Sequence, residues 1–257
     1  LTDLVVNPKD KAMYFAIGGR RVQSALYRVT YAGDESTKLA KGTKEGAELR
    51  QTRRALEAFH GKKDPKAVAA AWPQLSHSDR LIRYAARVAI EHQNVAAWQD
   101  KALAENETRA SLAGLLALTR VGGKSLQPKL LAALDRLDWG KLKTSQRLEL
   151  IRIYSLAFIR MGEPDAATRE RLASRLDACL PVRSPDLNHE LLQLLVYLQS
   201  GKSTAKGVQL LSTAATQEDQ INYAKSLRLA KTGWTMPLRK QYFEWFPQAA
   251  NFRGGAS

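Results

Sequence analysis

A helix signature that returns along the chain constrains its fold more than any other feature. Ile82-Arg83-Tyr84-Ala85 recurs as Ile221-Asn222-Tyr223-Ala224, each after a short polar start and each inside an apolar stripe at helical spacing. Apolar helices without the Tyr-Ala pair begin near Leu112, Leu150 and Leu191, so successive steps run 30–41 residues. That is the period of two-helix solenoid repeats, whose units bury their apolar faces only by stacking on neighbours. The pattern predicts an all-α fold: a HEAT-like α-solenoid of about 10–12 helices, with a short N-terminal β-hairpin. Such a fold uses nearly every hydrophobic residue as core and leaves few over for a reaction.

Helix starts and stops support the reading. Leu49, Arg53, Leu56 and Phe59 set a first period that ends at Gly61, and Asp64-Pro65 opens a second. Ser78-Asp79 starts a helix through Ile90, Asn94 one through Leu103, and Glu107 one that stops at Gly122-Gly123. Seven more are predicted at Gln127–Leu137, Ser145–Met161, Ala166–Cys179, Leu187–Leu198, Ala205–Thr213, Glu218–Lys231 and Leu238–Phe246. Asp79 and Arg83 stand four apart, so one helical turn joins them. In HEAT-like units such an Asp and Arg bond across repeats, which assigns repeat packing to Asp79, Arg83, Tyr84 and Tyr223.

The first 31 residues differ in kind. Ala12 to Ile17 is strand-like, Gly18-Gly19 reads as a turn, and Ser24 to Tyr31 forms a second Tyr- and Val-bearing run. A hairpin alone is marginal in water, so these strands need a partner, either the solenoid or another sheet. Residues 32–47 turn to Gly, Asp, Ser, Thr and Lys and read as a linker, which places the helical domain at 48–257. Leu1-Thr2-Asp3 has neither an initiator Met nor a signal pattern and reads as the start of a processed or excised piece.

The net charge of +15 invites an anionic partner. The excess is spread evenly: 14 basic and 8 acidic groups in residues 1–66, 14 and 8 in 67–162, 12 and 9 in 163–257. The densest stretch is Arg50, Arg53, Arg54, Lys62, Lys63 and Lys66, which with Arg87 makes the candidate interaction surface; Arg83 and Arg120 extend it. No apolar run reaches 18 residues, so no transmembrane span is predicted. The four histidines, His60, His77, His92 and His189, have no metal-ligand spacing, and the one cysteine, Cys179, reads as a core thiol. Gly18-Gly19-Arg20 and Gly122-Gly123-Lys124 lack phosphate-loop spacing, and no nucleophile elbow occurs. No catalytic, cofactor-binding or metal-ligating residue is assigned. Trp72 and Trp98 read as core, whereas Trp234 and the Tyr242-Phe243-Glu244-Trp245-Phe246 cluster read as the cap of the solenoid.

The two ends carry a more specific likeness. Val6 to Asp10, Met13 to Arg20 and Gln23 to Val29 resemble the last blade of a six-bladed β-propeller of the soluble sugar dehydrogenase type. Ala58-Phe59-His60-Gly61-Lys62-Lys63-Asp64-Pro65, Lys231 to Thr235 and Ala249 to Gly255 are similar to the HEAT-like region that follows such propellers in large exported bacterial proteins, ahead of a c-type cytochrome domain. The resemblance implies a periplasmic or otherwise exported, non-catalytic scaffold that spaces a propeller from a cytochrome, or that offers a basic face to an acidic protein partner. It implies haem c in a parent protein; this chain has no C-x-x-C-H to hold it. The alternative is a cytoplasmic nucleic-acid binder or DNA glycosylase, since basic solenoids grip duplex backbones and some excise alkylated bases with a carboxylate beside aromatics.

Overall fold

A computed structural model describes residues 3–19, 22–36, 38 and 42–253. It divides into two compact units, Leu1–Glu45 and Gly46–Ser257. Arg20 and Arg21, in the predicted hairpin connection, lie outside the described residues.

The first unit holds three strands, β1 (Asp3–Val6), β2 (Met13–Gly19) and β3 (Val22–Val29), in an antiparallel sheet of order β1-β2-β3. The sequence predicts two of them. β1 supplies an added partner: Leu4 lies opposite Phe15, and Phe15 opposite Tyr27. Residues opposite one another share a face, and the face alternates along a strand. One face therefore carries Leu4, Val6, Met13, Phe15, Tyr27 and Val29, all apolar, with the Phe15 and Tyr27 rings stacked 5.2 Å apart. The other carries Val5, Tyr14 and Arg28 in one row. There the Tyr14 hydroxyl donates to Asp10 at 2.7 Å and accepts from Arg28 Nε at 3.0 Å. The Tyr14 hydrogen bond in particular holds the Asp10 carboxyl below the usual range.

The second unit contains twelve helices among the described residues: α1 (Ala47–Glu57), α2 (Ala67–Ala71), α3 (Arg80–Glu91), α4 (Gln99–Ala104), α5 (Thr108–Val121), α6 (Gln127–Asp135), α7 (Thr144–Met161), α8 (Ala166–Asp177), α9 (Pro185–Tyr197), α10 (Ser203–Thr213), α11 (Gln217–Leu227) and α12 (Met236–Ala249). The mostly helical class agrees with the sequence pattern. Side-chain caps set many of the starts: Asp79, Glu107, Asp165, Ser184, Thr216 and Thr235 each accept an N–H from the first turn they precede. Among the described residues no helix is long and apolar enough to cross a membrane.

Packing joins odd-numbered helices in a row: α1 on α3, α3 on α5, α5 on α7, α7 on α9 and α9 on α11. Even-numbered helices flank them, with α4 against α6 and α10 against α12. Trp98, Leu115, Leu134, Tyr154, Leu195 and Leu227 are fully buried in one continuous apolar cluster. Each such side chain contributes about 1.5–3 kcal/mol relative to exposure.

Polar ties cross between helices as well. Asp135 of α6 accepts from the Tyr154 hydroxyl at 3.0 Å, from Arg175 at 2.6 Å and from Arg171. Asp177 of α8 accepts from Lys206 Nζ at 2.8 Å and from Ser200 Oγ at 3.2 Å. Burial and the neighbouring Asp135 push the Tyr154 phenol far above its usual range.

Two repeat-packing expectations need correction. Asp79 spends its carboxylate on the Leu81 and Ile82 amides, while Arg83 donates to the His77 and Ser78 carbonyls at 2.6 and 2.8 Å. The pair closes one helix start instead of bridging repeats. Tyr84 is 59% exposed, whereas Tyr223 is buried with its ring edge-on to His189. The matching isoleucines invert this, Ile82 buried and Ile221 exposed. The two signatures therefore lie on their helices in different phases.

Candidate interaction site

Helix geometry places residues three and four apart on one stripe. On α3 the stripe Arg80, Arg83, Tyr84 and Arg87 faces a cleft of about 470 Å³. α5 contributes Leu112, Ala113 and Leu116, and α7 contributes Leu148, Glu149, Arg152 and Ile153. The cleft exists because α3, α5 and α7 pack side by side. Leu112 and Ile153 form a buried floor, with Leu116 and Leu148 half-buried beside them.

Four guanidiniums face one carboxylate across this floor. Two are committed elsewhere. Arg83 holds the start of α3, and Arg87 pairs with Glu91 while its guanidinium lies 5.1 Å from the Tyr84 ring centroid. Glu91 also binds Arg120 Nε at 2.8 Å, which ties α3 to α5. Arg80 and Arg152 make no ion pair or side-chain hydrogen bond among the described residues, and Arg109 of α5 acts on the Glu149 carboxylate. Burial raises the Glu149 carboxyl above the ordinary carboxylate range, and Arg83 and Arg109 pull it back. The cleft can thus offer uncommitted planar cations at its rim, an exposed aromatic ring and an aliphatic floor.

Of the predicted interaction residues, Arg87 lines the cleft. Arg50, Arg53 and Arg54 lie on α1, where Arg53 Nε pairs with Glu57 at 3.1 Å. Lys62, Lys63 and Lys66 are exposed between α1 and α2, and the Lys62 carbonyl accepts from Gln93. Lys63 lines a separate hollow with Asp64, Glu91 and Gln93. Sequence reading passed over Arg80, Arg109, Glu149 and Arg152. Only the i, i+3 and i+7 spacing of Arg80, Arg83 and Arg87 signals the site in advance.

The histidines are divided between helix ends and ring contacts. His60 Nε2 lies 2.9 Å from the Ala85 carbonyl, and His77 Nδ1 accepts the Asp79 amide at 2.9 Å. Cys179 is half-buried with its thiol raised by burial. Among the described residues no three His, Cys, Asp or Glu side chains are grouped as metal ligands would be. In comparison with known proteins, no family model, curated protein or solved structure matches the chain.

Proposed function

We propose that the helical unit is a HEAT-like α-solenoid working as a non-catalytic scaffold and interaction module. The single observation that supports it is the unbroken row α1-α3-α5-α7-α9-α11, whose α3–α5–α7 section opens an arginine-rimmed cleft. Stacked repeats set the separation and orientation of whatever adjoins them. With the sequence likeness, this gives a module of an exported bacterial redox protein, placed between a propeller and a cytochrome c domain. The cleft serves an acidic protein partner: its rim is cationic, and its floor of leucines suits aliphatic side chains better than a phosphate backbone.

Small-angle scattering of residues 46–257 tests the architecture. A compact globule of this length has a radius of gyration of about 17 Å, so a solenoid gives a clearly larger value and about 17 Å overturns the reading. Titration with labelled polyglutamate and with a short DNA duplex, at about 50 and 200 mM salt, tests the partner. Polyglutamate binding that drops about tenfold or more in Arg80→Gln/Arg152→Gln is expected. Tight duplex binding with a steep salt slope would instead establish the nucleic-acid reading.

A further inference from the structure

A second recess lies at the other end of the helical row, between α11 and α12. It measures about 460 Å³ and is walled by Trp234, Tyr242, Phe243 and Phe246. Tyr242 is the hub, with ring centroids 5.3 Å from Trp234, 5.6 Å from Phe243 and 5.3 Å from Phe246. Its hydroxyl donates to the Ala224 carbonyl at 3.0 Å, and the Trp234 indole N–H donates to the Ala230 carbonyl at 2.9 Å. Those two polar handles are therefore consumed inside the protein, and they tie the cluster to α11 and to the turn that follows it.

What remains for a ligand is ring surface and charge. Phe243 is 63% exposed and Phe246 47%, far more than a settled cap would leave in water. Arg228, Lys231 and Arg239 line the same recess, and no carboxylate does. Among the described residues these three side chains make no ion pair or hydrogen bond. Tryptophan, tyrosine and arginine together are the residues that carry most binding energy at protein interfaces.

We infer that this recess is a docking site for an acidic polypeptide segment, which seats an aromatic or aliphatic side chain on Phe243 and Phe246 while its carboxylates meet Arg228, Lys231 and Arg239. The chemistry selects that occupant. A nucleic-acid strand stacks successive bases along a line of rings in a basic groove, whereas these rings are gathered around one recess. A lipid surface favours a convex apolar ridge, whereas these rings wall a concavity with room for a side chain and the peptide that flanks it. The site shares no residue with the α3–α5–α7 cleft, so it stands or falls separately.

The test uses a fluorescein-labelled peptide that repeats Glu-Asp-Phe-Glu, with a Phe-to-Ala counterpart and a Glu/Asp-to-Gln/Asn counterpart. The acidic Phe peptide is expected to bind the full chain at least about tenfold more tightly than either counterpart. Phe243→Ala and Lys231→Gln/Arg239→Gln each weaken it about tenfold or more without lowering the melting temperature, because all three side chains are exposed. The same losses are expected in an Arg80→Gln/Arg152→Gln background, which removes the cleft as a competing site for acidic peptide. No saturation up to about 1 mM peptide overturns the inference. So does equal affinity in Phe243→Ala, or loss of binding only in the cleft variant. Binding of phosphatidylcholine vesicles carrying phosphatidylglycerol, with none of the peptide, overturns it in favour of a membrane surface.

Discussion

Two helix-interior glycines carry opposite expectations. A Cβ at Gly114 of α5 would meet Trp72 Cη2 at 3.5 Å and Ala102 Cβ at 3.6 Å, which is ordinary contact. Gly114→Ala therefore gains helix propensity without a clash and stabilises by about 0.5–1 kcal/mol. At Gly207 of α10 the same atom would meet Leu227 Cδ2 at 2.8 Å and Leu192 Cδ1 at 2.9 Å. Both leucines are fully buried, so they cannot swing into solvent, and Gly207→Ala costs about 1–3 kcal/mol. Urea unfolding of the two variants reads both signs, and shifts of the same sign would contradict this packing of α10 on α9 and α11. Glu149 makes a third case, set by pH. Its folded carboxyl titrates above its unfolded one, so ionisation opposes folding as pH rises through that interval. Glu149→Gln is then more stable than the native chain at pH 7, by no more than about 0.5 kcal/mol because solvent still reaches the group. Below the unfolded carboxylate range the difference disappears. An unchanged difference down to pH 3 would remove the burial argument.

The elements were legible where local chemistry ends them. Asp79 and Glu107 read as helix starts, and each carboxylate takes first-turn amides; Asp165, one residue ahead of the expected start at Ala166, does the same. β1 was not legible: four residues ahead of Asn7-Pro8 carry too little pattern, and only pairing with β2 makes them a strand. The Ile-x-Tyr-Ala recurrence misled in detail, since buried Ile82 and exposed Ile221 give it different phases on α3 and α11. The cleft was hidden for another reason. Arg80, Arg109 and Arg152 come from three helices, and only the order of packing brings them near one floor. The sheet leads to a prediction of its own. Its apolar face leaves Leu4, Val6, Met13, Tyr27 and Val29 each at least 37% exposed, and three short strands bury little in return. Residues 46–257 alone are expected to melt within about 2 °C of the full chain, as a unit with its own core does. Residues 1–45 alone are expected to show a disordered circular dichroism spectrum. A helical unit that unfolds without its sheet would sink the first expectation, and a strand spectrum from residues 1–45 alone the second.

At the scale of the molecule, the solenoid reading concerns how far a local loss of stability spreads. In a stack of repeats each unit couples to its neighbours alone, so damage stays near its origin; in one cooperative core it is felt throughout. Asp135 is the place to apply it. Its carboxylate gathers Tyr154 from α7 and both Arg171 and Arg175 from α8, at a point where α6 meets α7. Asp135→Asn keeps an acceptor for the tyrosine and removes the charge that both guanidiniums use, a loss of about 1–3 kcal/mol. Hydrogen exchange in the native chain is expected to show its slowest amides in α5, α7 and α9, which have packed helices on both sides, and faster ones in α1 and α12. In Asp135→Asn the amides of α6, α7 and α8 speed up, while those of α1, α3 and α11 hold their native rates. Uniform acceleration from α1 to α12 would mean that the helices share one indivisible core. The proposal that stacked repeats set the spacing of adjoining domains would then fail.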